Sequence, residues 1–190
     1  MSNQRWQQKY SETNERGLAA EVLLQNQHLL PAKGKALDLA CGLGANALFL
    51  ADKGLHCQAW DFSSVALEKL DTSAREQQLP IQTREIDLEI DLFPDDQFDL
   101  IVVSHYLHRP LCHAICKALN PSGLLFYQTF CQQKISTQGP SNPRFLLKEN
   151  ELLSLFSRLN PVVYREERLI GDTSEGFRNQ AMLIAQQPLP

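Results

Sequence analysis

The segment Lys35 to Ala47, KALDLACGLGANA, constrains the fold more tightly than any other part of the chain. Ala36, Leu37, Leu39 and Ala40 form the near-continuous apolar run of a strand buried on both faces of a parallel sheet. Gly42 and Gly44 then permit a tight turn and a close approach of backbone to ligand. A helix that opens directly after such a turn aims its free amides at the occupant. The pattern predicts a strand, a turn and a helix that together cradle a nucleotide cofactor.

Asp38 sets this cradle apart from the pyrophosphate-binding fingerprint, because a carboxylate within the strand suits a cation and not a phosphate. The pattern Asp38-x-Ala40-x-Gly42-x-Gly44 resembles the first motif of class I S-adenosylmethionine-dependent methyltransferases, with Ala40 replacing the usual first glycine. The resemblance implies that Asp38 and the glycine turn hold the methionine part of S-adenosylmethionine. It places Ala40, Cys41, Gly42, Gly44 and Asn46 among the cofactor-binding residues.

Two further acids follow at strand ends. His56 to Trp60 reads as the next strand and leads into Asp61, close to the ~20 residues expected between a glycine turn and a ribose-binding acid. Asp61 is expected to accept from ribose hydroxyls and Phe62 to pack against adenine. A dehydrogenase would use such an acid equally well. Ile81 to Ile86 predicts a third strand ending at Asp87 and Leu88. By resemblance, Asp87 meets the exocyclic amine of adenine and the Leu88 backbone faces the ring, with Glu89 and Asp91 competing for the role of Asp87. Phe98 to Val103, FDLIVV, suits a central strand.

The coarse order is two amphipathic N-terminal helices, then strands alternating with helices to about residue 131, a polar loop, a helix and two closing strands. Val162 to Arg168 and Arg178 to Ala185 are expected to form a hairpin across the turn-rich GDTSEG. Alternation predicts an α/β fold with ligands at the carboxyl ends of the strands. The resemblance implies a three-layer αβα Rossmann-like fold, its mostly parallel seven-stranded sheet in the order 3-2-1-4-5-7-6 with one antiparallel strand. A single domain is expected over residues 1–190: a helical cap to residue 30, a cofactor core over 35–131, and a substrate loop, helix and hairpin over 132–190.

With 190 residues, 43% of them hydrophobic and 21% charged, one globular core is affordable within ordinary composition. The polar start and the lack of ~18 consecutive apolar residues point to a cytoplasmic protein that is neither exported nor membrane-inserted. Five cysteines at 41, 57, 112, 116 and 131 read as reduced thiols in apolar segments. Cys112, Cys116 and His108 share a helical stripe, but core packing explains them better than zinc. A net charge of −4 without a Lys/Arg cluster disfavours nucleic acid and favours a small-molecule acceptor.

A narrower resemblance, to small bacterial tellurite-resistance and thiopurine-type methyltransferases, is carried by Trp6-x-x-x-Tyr10, by SHYLHRPL from Ser104, and by YQTF from Tyr127. It implies that Trp6 and Tyr10 form a lid over the cofactor; anchoring of a terminal helix is the other reading. Ser104 is expected at the cofactor, and His105, Tyr106 and His108 are the candidate catalytic residues. A histidine would act as base if the acceptor carries a proton. No Asn-Pro-Pro-Tyr or Asp-Pro-Pro-Tyr stands here, which disfavours that arrangement of amino methylation. Cys131 reads as structural. Gln132 to Arg144 is a polar loop of the kind that shapes acceptor pockets, where Gln128, Arg144 and Arg178 are candidates for binding an anion. Two alternatives remain open: an NAD(P)-dependent oxidoreductase, on Gly42-x-Gly44-x-x-Ala47, and a non-catalytic domain that binds S-adenosylmethionine.

Overall fold

Lys35–Leu39 forms strand β1, hydrogen-bonded to a parallel strand on each side. In the computed structural model, which describes residues 3–13 and 15–189, the other strands are β2 (His56–Asp61), β3 (Ile81–Glu85), β4 (Phe98–Ser104), β5 (Leu119–Phe130), β6 (Asn160–Arg165) and β7 (Gln180–Gln186). Met1 and Pro190, the ends of the expected domain, lie outside the described residues. The sheet runs β3-β2-β1-β4-β5-β7-β6, with β7 antiparallel to both of its neighbours, as the resemblance implies.

Alternation along the inner strands supplies two apolar layers. Leu37, Leu39, Ile101, Val103 and Leu125 belong to one buried cluster, and Ala36, Leu100, Val102 and Phe126 to the other. Helices α3 (Ala45–Asp52) and α4 (Ser64–Glu76) follow β1 and β2, while the short α5 (Cys112–Lys117) and α6 (Glu151–Leu155) flank β5 in sequence. Cys112 and Cys116 are buried in the first cluster, among Leu111, Ile115 and Leu119.

Two expectations are corrected. Only α1 (Asn3–Glu12) is a full N-terminal helix; the second is a single turn, α2 (Glu21–Leu24), followed by the 3-10 turn Gln27–Leu29. The closing strands are joined by residues 166–179 and not by GDTSEG alone. Arg178 organises this connection, donating to the carbonyls of Glu167, Arg168, Ile170, Asp172 and Glu175.

The turn after β1 is conformationally demanding. Ala40 sits at φ 56° and Gly44 at φ 77°, both left-handed. A Cβ at Gly44 would lie 2.4 Å from a Leu70 methyl of α4, so this glycine serves helix packing as well as the turn. Asp38, 1% exposed, latches the turn from behind. Its carboxylate accepts from the Ala47 amide at 3.0 Å and from Asn46 Nδ2 at 3.3 Å, tying β1 to the first turn of α3. Burial raises its pKa to about 7, outweighing those two hydrogen bonds.

Opposite effects are expected from two substitutions in this turn. Gly44→Ala should destabilise by about 2–4 kcal/mol, from the left-handed backbone and the clash with Leu70, whereas Ala40→Gly should stabilise by up to about 1 kcal/mol. Denaturant unfolding measures both, and a neutral Gly44→Ala would refute the packing role. Asp38 also makes stability pH-dependent. Its folded pKa lies above the unfolded value of about 4, so its contribution is full below that pH and is lost as pH rises through about 7. The stability of the wild type relative to Asp38→Asn should therefore fall between about pH 4 and 7, by on the order of 1–4 kcal/mol, and level off above.

Candidate active site

A cavity of about 680 Å³ opens at the carboxyl ends of β1, β2 and β4, with Trp6 and Tyr10 of α1 on its wall. From the turn after β1 it is lined by Ala40, Cys41, Gly42, Gly44 and Asn46, and from beyond β2 by Asp61 and Phe62. Asp87, Leu88 and Glu89 follow β3, and Ser104, His105 and Tyr106 come from the end of β4. Sheet topology thus gathers residues from four separate strand ends, as expected for a parallel sheet. Asp38 and His108 do not line it. Asp38 lies behind the turn, its oxygens engaged with α3, and the chain turns away after Leu107, where the His108 carbonyl starts the 3-10 turn Arg109–Leu111.

Several polar wall residues are held by specific partners. Asp61, 3% exposed, accepts from the Gly42 amide at 2.8 Å and the Ser63 amide at 2.9 Å, so it brackets the glycine turn from the neighbouring strand. Burial raises its pKa, against the pull of those amides. A carboxylate oxygen has lone pairs to spare, so both remain able to accept from a ligand hydroxyl. Asn46 spans three elements: its Oδ1 accepts from the Ala20 amide, and its Nδ2 donates to Asp38 and to Ser104 Oγ. Beyond β3, Asp87 Oδ1 accepts from the Glu89 amide, while Asp91 caps the same bend by accepting from the Asp87 amide. Of the three acids expected to compete there, Asp91 is absent from the wall.

Helix α1 is docked by polar contacts. Ser63 Oγ donates to Gln7 Oε1, and Lys69 Nζ donates to the carbonyls of Tyr10 and Thr13 at its carboxyl end. The Trp6 and Tyr10 rings stack at 5.6 Å, and the Tyr10 hydroxyl lies where a Cβ on Gly42 would fall, 2.8 Å away. The two aromatics therefore close the wall opposite the turn, and the helix is also anchored.

The other end of the cavity is apolar, lined by Phe130, Gly139, Pro140 and Phe145. Its loop is fastened through backbone carbonyls. Lys134 donates to Gln138 and Pro140, and Arg109 donates to Arg144 and Leu146 while paired with Glu151. Sequence reasoning missed these residues, since nothing local marks a side chain that binds a distant carbonyl. The three candidates for binding an anion, Gln128, Arg144 and Arg178, are all absent from the wall. Gln128 is buried against Val22 and Gln180, Arg178 holds the 166–179 connection, and Arg144 is exposed and off the wall. Burial pushes the Cys131 thiol up to about 12, which leaves it protonated and unreactive at neutral pH.

His105 occupies a left-handed conformation, φ 56°, and its ring lies 5.1 Å from that of Phe130. Burial lowers its pKa, keeping the neutral imidazole favoured. Tyr106 lines the cavity, and its hydroxyl is buried with no hydrogen-bond partner among the described residues; burial raises its pKa, so it stays a protonated donor.

Comparison with known proteins agrees with this geometry. Residues 36–123 match the methyltransferase domain family. The methyltransferase-type protein YqeM of Bacillus subtilis is 32% identical over 127 residues, covering 60% of this chain and 49% of its own; the chain thus spans about half the length of that relative. TehB from Haemophilus influenzae superposes with a TM-score of 0.72 at 21% identity, over 96% of this chain and 67% of TehB. A S-adenosylmethionine-dependent methyltransferase from Methanosarcina mazei gives 0.68 at 20% identity, over 92% of this chain and all of the other. Residues 36–123 thus match a methyltransferase domain, and the fold of the whole chain is the one these solved structures share.

Proposed function

We propose that the cavity takes S-adenosylmethionine at its acidic end and a small-molecule acceptor at its apolar end. The observation that carries this reading is one continuous cavity with a glycine turn and two acids, Asp61 and Asp87, at one end and aromatic walls at the other. The residues fit an adenosyl group with a cationic tail. Asp61 can accept from ribose hydroxyls, Phe62 and Leu88 offer apolar contact to adenine, and Asp87 can accept from its amine. Tyr106 on the cavity wall carries a hydroxyl with no hydrogen-bond partner among the described residues. Asp38, behind the wall, favours a cation across the turn through its field; such a cation in turn favours the ionised carboxylate.

Bound there, S-adenosylmethionine supplies an activated methyl group that already carries its leaving group. What remains for the protein is alignment of the acceptor, exclusion of water and, where the acceptor is protonated, a base. Trp6, Tyr10 and the fastened 132–147 loop do the first two. One solved relative at 19% identity, coclaurine N-methyltransferase, holds S-adenosylhomocysteine with N-methylheliamine, which supports the two-ligand reading. Asp87 lacks a purpose in an oxidoreductase, and the apolar chamber lacks one in a domain that only binds the cofactor.

Titration calorimetry with S-adenosylmethionine, S-adenosylhomocysteine and NADH tests this. Both adenosyl compounds should bind and NADH should not, and Asp61→Asn should weaken binding by at least ~10-fold, the loss of roughly one charge-assisted hydrogen bond. Binding of NADH alone would establish the oxidoreductase. Failure of both adenosyl compounds to bind would refute the proposal.

A further inference from the structure

A chain of buried amides runs to His105 from the far side of the sheet. The Val22 main-chain N–H donates to Gln128 Oε1 at 2.7 Å, Gln128 Nε2 donates to Gln180 Oε1 at 2.9 Å, and the same Oε1 lies 3.1 Å from His105 Nε2. A main-chain N–H can only donate, and this fixes every member of the chain. Gln128 must turn its oxygen to Val22, so its NH₂ faces Gln180, and Gln180 must answer with oxygen. His105 then meets an acceptor, and its proton sits on Nε2. In the neutral ring the lone pair is on Nδ1, which has no partner among the described residues.

This arrangement is costly if it serves packing alone. Gln128 and Gln180 are 2% and 9% exposed on paired inner strands, where burying amides brings a desolvation penalty that apolar residues would avoid. The left-handed backbone of His105 adds further strain at the same point.

The walls beside His105 narrow the acceptor. Phe130 lies against the His105 ring, with Phe145 and Pro140 on the same cavity; of the lining cations, Arg16 is bound to the Leu43 carbonyl and Ser73 Oγ and Lys9 sits over the Trp6 ring, while Arg109 and Arg178 bind protein carbonyls off the wall. Of the charged groups that face His105, Glu21 comes from α2 and Lys9 from α1; they act in opposite directions, and Lys9 sits over the Trp6 ring. An acceptor that is already an anion needs no base and finds little cationic recognition here.

We propose that Gln180 and Gln128 position His105 as a general base, acting through Nδ1 on a small aromatic acceptor that keeps its proton at neutral pH, an aromatic hydroxyl or a ring N–H. The inference rests on the S-adenosylmethionine reading of the cavity. In the step, the acceptor heteroatom bonds to the methyl carbon as the carbon–sulfur bond breaks, and that bond's electron pair stays on sulfur. The acceptor proton passes to Nδ1, and the imidazolium releases it to solvent at the cavity mouth.

The test combines nitrogen-15 NMR of the histidines, with His105 assigned by His105→Ala, and release of S-adenosylhomocysteine with 2-naphthol, benzimidazole or tellurite as acceptor. His105 should be neutral and protonated on Nε2 at pH 7, and Gln180→Leu should mix its tautomers. Turnover should occur with 2-naphthol or benzimidazole and exceed that with tellurite. His105→Ala should lower kcat by about 100-fold or more with KM for S-adenosylmethionine unchanged. Gln180→Glu should move the acid limb of the pH–rate profile upward, because a carboxylate stabilises the imidazolium; a merely structural Gln180 would leave the limb in place. A His105 protonated on Nδ1, or an imidazolium at pH 7, would overturn the positioning. With S-adenosylmethionine bound by calorimetry, turnover of tellurite alone or of none of the three would overturn the acceptor class. Absence of that binding would instead refute the cofactor reading, and the tautomer would still decide the role of Gln180.

Discussion

Two buried carboxylates hold the turn after β1, and the rest of the site depends on them. Asp38 grips the first turn of α3 from behind, through the Ala47 amide and Asn46, and Asp61 grips the Gly42 amide from the adjacent strand. Neither carboxylate is buried cheaply, as the upward displacement of both pKa values shows. The turn they secure includes Ala40 in a left-handed conformation that glycine would adopt with less strain. Desolvation and backbone strain are thus accepted at one spot, where the main chain must present its amides to a cavity.

The remaining walls are fastened to this frame by long-range polar contacts. Arg16 reaches the Leu43 carbonyl and Ser73, and Lys69 takes the carbonyls of Tyr10 in α1 and of Thr13 just past it, so the N-terminal segment is tied to the turn and to α4. On the opposite side, Arg109, Lys134 and Asn179 hold the 132–147 loop. A wall fixed before the ligands arrive costs less ordering entropy on binding, which is the physical content of preorganisation. The cavity is therefore shaped by cations that bind carbonyls, and its own surface remains free for ligand chemistry.

Much of this was legible in the sequence, for identifiable reasons. The strands β1, β2 and β4 announce themselves as apolar runs bounded by glycine or acid, and the residues that line the cofactor end lie within a few positions of those boundaries. Asp38 was found as a residue but not in its role: spacing reveals a carboxylate in a strand, and only packing reveals that it faces α3. The second N-terminal helix was overextended because its apolar residues, Val22 and Leu23, are buried over a single turn. His108 stands out as a second histidine just beyond β4, but the 3-10 turn Arg109–Leu111 takes the chain away from the cavity there. Gln128 and Gln180 are 52 residues apart, and no local pattern marks two amides that meet only when β5 pairs with β7.

The central claim is that the cavity beneath α1 is the adenosyl site. A crystal structure of the chain with S-adenosylhomocysteine tests it directly. The account predicts the ribose against Asp61, the adenine beside Phe62 and Leu88, and the sulfur facing the Phe130 and Phe145 end. Density for the ligand elsewhere on the protein, or within the cavity in the reverse orientation with adenine among the phenylalanines, would contradict it.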